Sequence, residues 1–504
     1  MPKELPAASN LEHLKKQAKA LLNEFRQGNP GATQRLRSHD VLRADQEPQL
    51  ADAQRVIARE YGFLSWSRLK EHVEEIALEK ADPQEEFKAA IRRGDASRVS
   101  RLVERYPALR DSANAPILGF DSPPILIAAQ SKNRELVEVL LNLGANINAR
   151  SQWWAGGFGV FDWADKEFAQ FLMERGAVVD VHAAAHLAML PRLKELIESK
   201  PELVNARGGD GKTPLHCAST VEVAEYLLDR GAKIDARDID HESTAAQYLL
   251  REHPDVVRYL IQRGCTTDML MAAALDDRNL AQAWLSRNPE SIRTRVSDEY
   301  FPMVRPKGGG TIYQWLLGWY VSPHQVAKKF GHQAMFEWLM ARTPPEEKLL
   351  NACWLGDEPL VRQLLLSDAN LALKLPPAGR RHVAHAARAN DLEAVKLMLS
   401  AGLPLDQRSQ HGGTAMHWAA YHGNVSMVEE ILRHAPALDA VDDDFSGTPL
   451  DWAIHGSKEG DQDRTGRFVM VVRLLLDAGA KPPKKADGSP ALVEELRRRG
   501  VPGS

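Results

Sequence analysis

Cysteine is scarce in this chain, with three in 504 residues: Cys217, Cys265 and Cys353. Three scattered thiols make no disulfide framework and lack the clustering a zinc site needs, so a reducing compartment is expected. A charge excess of either sign is missing too. Lys and Arg total 64 against 68 Asp and Glu, a formal charge of −4. That balance gives no basic footprint for nucleic acid and no pull toward an anionic membrane. Long hydrophobic runs are absent. The longest uncharged stretch is 308–327, and only 312–321 within it is mostly apolar, before Pro323, His324 and Gln325. A spanning helix needs about 20 apolar residues. Residues 1–10 have no apolar core and lead into the charged run 11–19, so no secretory leader is read there. A soluble, cytoplasmic protein is expected. What is present is ordinary globular usage, 44% hydrophobic and 26% charged, which excludes wholesale disorder and collagen. At roughly 100–200 residues per domain, the length predicts about three domains or one long repeat array.

Self-similarity decides for the array. The segments 136–145, 223–232 and 471–480 each read as an amphipathic helix, then Gly-Ala (Gly144, Gly231, Gly479). Glycine there suits the left-handed position that closes a helix. Related ends occur at Gly176-Ala177 and Gly264-Cys265. Gly144 to Gly176 is 32 residues and Gly231 to Gly264 is 33. A second signature precedes these helices: Gly211-Lys212-Thr213-Pro214-Leu215-His216, with relatives at Gly413-Thr414-Ala415-Met416-His417 and Gly447-Thr448-Pro449-Leu450-Asp451. Thr414 to Thr448 is 34 residues. Thr accepts from free amides at a helix start, and Pro suits the first turn, where one amide is unpaired anyway.

The T-P-L-H start, the V-V-x-L-L-L helix and the G-A exit resemble the ankyrin repeat, whose period is about 33. The resemblance implies an all-α ankyrin-repeat solenoid of about twelve helix-turn-helix units with β-turn fingers across 85–483. A three-helix module in 1–84 precedes it, and a C-terminal capping helix and tail in 484–504 follow. Four units lack the finger and begin directly with a helix, near Phe87, His182, Met271 and Leu349, at intervals of 95, 89 and 78 residues. Three of these carry Pro in place of Gly-Ala (Pro107, Pro201, Pro289). The whole is similar to a bacterial type of ankyrin protein with this mixed pattern. Each unit buries its apolar face only by stacking, so stability becomes a nearest-neighbour sum.

Three segments break the repeat. The first is the aromatic, Gly-rich run 153–159. The second is the irregular insertion near 298–312, with Pro302, Pro306 and Gly308–Gly310, leading into Tyr313, Trp315, Trp319 and Tyr320. The third is a polar insertion at 456–466. Loops without packing duty are where function concentrates, although these rings would equally fill gaps left by degenerate units. In the first 84 residues, Leu11, Leu14, Ala18, Leu21, Leu22 and Phe25 recur at helical spacing until Gly28. Leu50, Ala53 and Ile57 begin a second helix, and Trp66, Leu69, Val73 and Ile76 mark a third. Residues 57–67 look like a helix-turn-helix if one residue is inserted. The 13 Lys and Arg of 1–84 are matched by 13 Asp and Glu, which argues against a DNA-binding face.

Chemistry has little support. His182 and His186 have zinc spacing on a helix but no third ligand. His417 and His422 fill ankyrin histidine slots. Asp442-Asp443-Asp444 begins like a calcium loop, but the twelfth position is Ala453. Gly308–Gly310 lacks the P-loop Lys, and Cys217 beside His216 makes a poor dyad. No enzyme, cofactor or metal is expected. The reading is a non-enzymatic scaffold that binds another protein through a concave surface of fingers and first helices, as a monomer, without nucleic acid or membrane. Finger residues free of packing duty are the candidate partner-binding set: Trp153, Trp154, Phe158, Asp210, Lys212, Asp240, His241, Gln410, His411, Asp443, Asp444 and Phe445. Two alternatives stand: a DNA-binding regulator using the N-terminal module with the array as sensor, and a small-ligand or enzymatic site in 298–325.

Overall fold

The computed structural model describes Lys3, Leu5 and residues 11–38, 47–80, 82–458 and 466–503. Among them every regular element is a helix, and the only β pairing is two isolated bridges, Leu118 with Ser122 and Arg237 with Thr244. The architecture is an all-α repeat solenoid. The chain divides into two compact units, Met1–Val179 and Asp180–Ser504.

The first unit opens with α1 (Leu11–Arg26), α2 (Pro30–Arg37), α3 (Leu50–Glu60) and α4 (Trp66–Lys80). The spacing predicts three of these; α2 is additional. Its start is local chemistry: the Asn29 side chain accepts from the Gly31 and Ala32 amides, and Pro30 occupies the first turn. These helices share a core of their own, with Leu14, Leu21, Leu36, Ile57 and Leu69 all fully buried. Paired helices then follow, Pro83–Arg93 with Ala96–Arg105 and Pro124–Gln130 with Arg134–Asn142, before the irregular run 151–164 and the helix Lys166–Met173.

The second unit repeats the pairing from Val181–His186 to Arg467–Asp477 and closes with Pro490–Arg498, whose Leu492 and Leu496 are fully buried. The finger-less starts fall on helices, and Asp82, Asp180 and Asp268 cap three of them. Several second helices open on an Asp or Asn cap, as where Asp391 accepts from the Ala394 amide and Asn424 from the Met427 amide. Those of the Gly-Ala repeats close on a left-handed glycine. Gly231 has φ +93° with nothing near its missing Cβ, so backbone conformation alone selects it.

Neighbouring repeats are tied by two polar devices. In the first, an Asn or Asp after one repeat's exit reads the next exit: Asn205 donates to the Gly231 carbonyl at 3.0 Å and accepts from the Lys233 amide at 3.0 Å. In the second, His216 accepts from the Thr213 amide through Nδ1 at 3.1 Å, which leaves Nε2–H to donate to the Ser243 carbonyl at 3.1 Å in the next finger. His417 repeats this with Thr414 and Gly447. The T-x-x-H motif is therefore a turn lock and an inter-repeat tie at once.

The insertion expected at 456–466 begins on a buried helix end, and residues 459–465 lie outside the described set. Gly456 closes the helix Pro449–Gly456, and a Cβ there would meet the Tyr421 carbonyl oxygen at 2.3 Å. Helix propensity alone predicts that Gly456→Ala stabilises by about 1 kcal/mol. Backbone contact reverses the sign, and a loss of about 1–3 kcal/mol is expected in urea unfolding. A stabilised variant would show that the two helices do not pack backbone to backbone.

Candidate interaction surfaces

The twelve predicted residues fall into three clusters, one in the first unit and two in the second. In the first unit the 151–164 run folds back on itself: the Ser151 amide donates to the Phe158 carbonyl, and the Phe158 amide to Ser151 Oγ. Trp153 and Trp154 meet edge to face at 6.0 Å, and Phe158 packs on Trp163 at 5.2 Å. Both Trp153 and Phe158 contact Phe120, at 5.0 and 5.5 Å. Phe120 stands in the left-handed region at φ 58° with 47% of its surface exposed. Phe158 is buried, so it packs; Trp154 and Phe120 are the exposed rings. Sequence reading misses Phe120, whose Gly119-Phe120-Asp121 context was the available turn signal.

The second cluster joins Asp210 and Lys212 on one finger to Asp240 and His241 on the next. The expectation that these are freely presented side chains fails for Asp240 and His241, both buried. The cause is the 298–310 insertion, which docks on the finger 238–243. Glu242 accepts from the Val304 and Arg305 amides, both at 2.9 Å, and Ser243 Oγ accepts from the Ile312 amide. The glycine run is selected by closeness: a Cβ on Gly308 would meet Met303 at 2.5 Å and the Asp240 carbonyl at 2.9 Å. Burial pushes the Asp210 and Asp240 carboxyls above their ordinary range. Lys212 holds its ammonium 5.7 Å from the Tyr248 ring centre.

The rings that follow the insertion separate. Tyr313 and Tyr320 are buried. The Tyr313 hydroxyl donates to Asp268 at 2.9 Å, and Tyr320 stacks on His385 at 3.6 Å. Trp319 lies under the Arg388 guanidinium, and Trp315 is 72% exposed. The nearby 240 Å³ pocket is walled by Tyr300, Phe301, Met303 and Asp268, among others.

The third cluster is an open aromatic groove of about 560 Å³. Its floor comes from two first helices in equivalent register, Ala415–Tyr421 and Pro449–Gly456. Its rim comes from their fingers. Trp418 and Trp452 cross edge to face at 4.9 Å, Tyr421 lies 6.1 Å from Trp452, and His455 stacks on Tyr421 at 6.3 Å. The indoles are anchored from behind: Trp418 donates to Ser409 Oγ and Trp452 to Asp442, each at 2.8 Å. Asp442 also accepts from the Phe445 and Gly447 amides. Burial works upward on Asp442, but these donors outweigh it and hold the carboxyl below its ordinary range.

Of the predicted residues, His411 and Phe445 line this groove. His411 sits 5.4 Å from Phe445 and binds Asp444 through Nδ1 at 2.7 Å. Asp443 pairs with Arg408 at 2.8 Å. Phe445 is 69% exposed at a finger tip. Gln410 is half-buried with its Oε1 turned inward. Trp418, Tyr421, Trp452 and His455 were missed because they sit on two helices that read as core. The available signal was the recurrence of Trp at 418 and 452, one repeat apart.

The family described as ankyrin repeats (3 copies) matches residues 181–271, 349–442 and 383–486, and a single ankyrin repeat matches 122–152. Together these span just over half of the chain. Among curated proteins, the putative palmitoyltransferase ZDHHC13 of Danio rerio is 32% identical over 19% of this chain and 13% of its own. The E3 ubiquitin-protein ligase KEG of Arabidopsis thaliana is 22% identical over 84% of this chain and 22% of its own. The ankyrin repeat and KH domain-containing protein mask-1 of Caenorhabditis elegans is 23% identical over 61% and 11%. The chain thus covers under a quarter of the length of each of these relatives, and the likeness to the two enzymes lies in the ankyrin region. Among solved structures, a chain of the complex of Bd0816, a predatory endopeptidase from Bdellovibrio bacteriovorus, with immunity protein Bd3460 is 20% identical over 35% of this chain and 97% of its own, at a TM-score of 0.24. Among the described residues no helix is long and apolar enough to cross a membrane. The repeat signatures, the paired helices with their fingers and the family matches lead to one assignment: the chain belongs to the ankyrin-repeat proteins.

Proposed function

We propose that this protein is a non-enzymatic scaffold that binds a protein partner through fingers and first helices, with the 411–455 groove as its principal recognition site. The observation that carries the reading is the groove itself. Phe445 and Tyr421 present ring surface in a 560 Å³ depression, over a floor of Trp418 and Trp452 that are largely buried, 7% and 9% exposed, and held by hydrogen bonds from behind. Rigid aromatic anchors are what interface hot spots are made of. Asp444 on the rim finger and Asp451 at the groove wall add negative charge, which suits a segment pairing an apolar or aromatic side chain with Lys or Arg. The exposed Trp154 and Phe120 of the first unit form a secondary patch of the same chemistry.

The test is selection of peptides from a random library on the full chain. Enrichment of Lys or Arg beside an apolar residue is expected. Phe445→Ala and Tyr421→Ala should each weaken the selected peptides by about 2 kcal/mol, roughly 30-fold, with the thermal midpoint unchanged. Selected peptides that bind both variants as tightly as the parent would remove the groove from the mechanism. The N-terminal module serves, in this reading, as a packing cap for the first repeats. No described feature favours the DNA-binding alternative.

A further inference from the structure

The finger tips around the docked insertion hold a constellation that partner binding does not use. Asp210, Asp240 and His241 each offer one ligand-type atom, all within 4.8 Å of one another. Asp210 comes from one finger; Asp240 and His241 come from the next. The two fingers are held in register by the Asp210 carbonyl, which accepts from the Ile239 and Asp240 amides at 2.8 and 3.1 Å.

The placement of the His241 ring is the second observation. Its Nδ1 lies 2.8 Å from the Gly310 carbonyl. A carbonyl only accepts, so Nδ1 donates to it, and Nε2 is the ring atom turned toward the two aspartates. That nitrogen faces Asp240 Oδ2 at 3.5 Å in a side chain nine-tenths buried. The separation is longer than an ordinary N–H···O bond and matches that of two donors on one ion. Holding a histidine through its outer N–H on a backbone carbonyl is how metal ligands are oriented. Asp240 is fixed in the same manner, its Oδ1 accepting from the Gly309 amide at 3.1 Å.

The neighbouring carboxylates are already spoken for. Asp238 accepts from the His241 and Ser243 amides and the Tyr248 hydroxyl, and Glu242 from the insertion. The Asp210 carboxylate makes no hydrogen bond among the described residues. Tetrahedral donors about 2.0–2.2 Å from a first-row ion lie roughly 3.3–3.6 Å from one another. Asp240 Oδ2 and His241 Nε2, at 3.5 Å, already meet that spacing, and Asp210 has to close on them from within 4.8 Å.

We propose that Asp210, Asp240 and His241 form a binding site for a divalent first-row transition-metal ion, stapling two adjacent fingers beneath the 298–310 insertion. Two carboxylates with an imidazole suit zinc, cobalt or manganese rather than calcium or magnesium, which take oxygen donors. Three protein ligands leave positions for water or for an acidic group of a partner.

The experiment uses the full chain stripped with a chelator. It is titrated with Co2+, followed by its visible absorption, and with Zn2+ by equilibrium dialysis. One ion per chain is expected. Asp210→Asn and His241→Gln should each weaken binding by at least about tenfold, the lower end of what even an outer-shell partner contributes. Asp210→Asn loses no hydrogen bond, and asparagine tolerates the left-handed backbone at φ 56°. Its metal-free melting should therefore match the parent, separating ligand loss from misfolding. His241→Gln keeps a donor for Gly310. Absence of one-to-one uptake, or either variant binding as tightly as the parent, overturns the site.

Discussion

Replacing Glu347 with alanine is expected to destabilise the repeats around it by about 3–5 kcal/mol. Glu347 is 4% exposed and accepts from Arg295 at 2.6 Å and Arg293 at 3.1 Å. The two arginines are not equivalent. Arg293 also holds Glu346 at 2.7 Å. Arg295, 2% exposed, has Gln325 and Asn351 as its other side-chain acceptors, and both are neutral. Truncating Glu347 therefore strands a buried guanidinium, and the cost is its uncompensated desolvation rather than the value of one ion pair. The pair Glu347→Leu with Arg295→Met should recover most of the loss, because an apolar replacement of both partners removes the penalty. Repeat arrays unfold by neighbouring units, so a local probe is needed. Hydrogen exchange of the amides of Pro345–Trp354 reads the effect. A loss below about 1 kcal/mol would place Arg295 in contact with water.

Acidification from pH 7 to 5 is expected to weaken the second unit steeply. His216, His324 and His385 are each pushed down to about 3, in every case chiefly by burial, with nearby Arg or Lys charge adding to it. Burial also pushes His382 well below its usual value. The unfolded chain takes up these protons below about pH 6.5 and the fold does not. Their stabilising contribution is present above pH 6.5 and is lost as pH falls toward 3.

Asp268 acts in the opposite sense. Burial holds it up to about 6, so the folded state carries its proton where the unfolded state does not, and stability gains from it as pH falls below 6. Histidines outnumber it. Near pH 5 the unfolded state binds at least about two more protons, a slope of roughly 2.7 kcal/mol per pH unit. Urea midpoints at pH 7 and 5 check this, and His216→Gln should reduce the slope by about one proton. Equal midpoints at the two pH values would mean that these rings meet water in the native state.

The repeats were legible because their determinants are local. Helical spacing of apolar residues, glycine at a left-handed exit and proline in a first turn act within a few residues of one another. The finger-less starts at Phe87, His182, Met271 and Leu349 and the closing helix at Pro490 were readable on the same grounds. Even the missed α2 had a local signal in Asn29-Pro30. The groove was half legible. Finger residues His411 and Phe445 stand out as departures from a pattern, whereas Trp418 and Trp452 on first helices read as core and are buried, and only the packed neighbouring helices show that they also floor a groove.

Other features depended on contacts that local pattern cannot carry. Asp240 and His241 read as open finger residues, yet they are buried by a loop 69 positions away in sequence. Arg295 and Glu347 meet across 52 positions, and each alone is an ordinary surface charge. Periodicity specifies which face of a helix is apolar, and so the repeat and its stacking follow from the amino-acid order. Which polar groups become buried, and with whom, depends on how irregular segments pack on that scaffold. That outcome is set by long-range complementarity and desolvation, which exist only once the chain has folded.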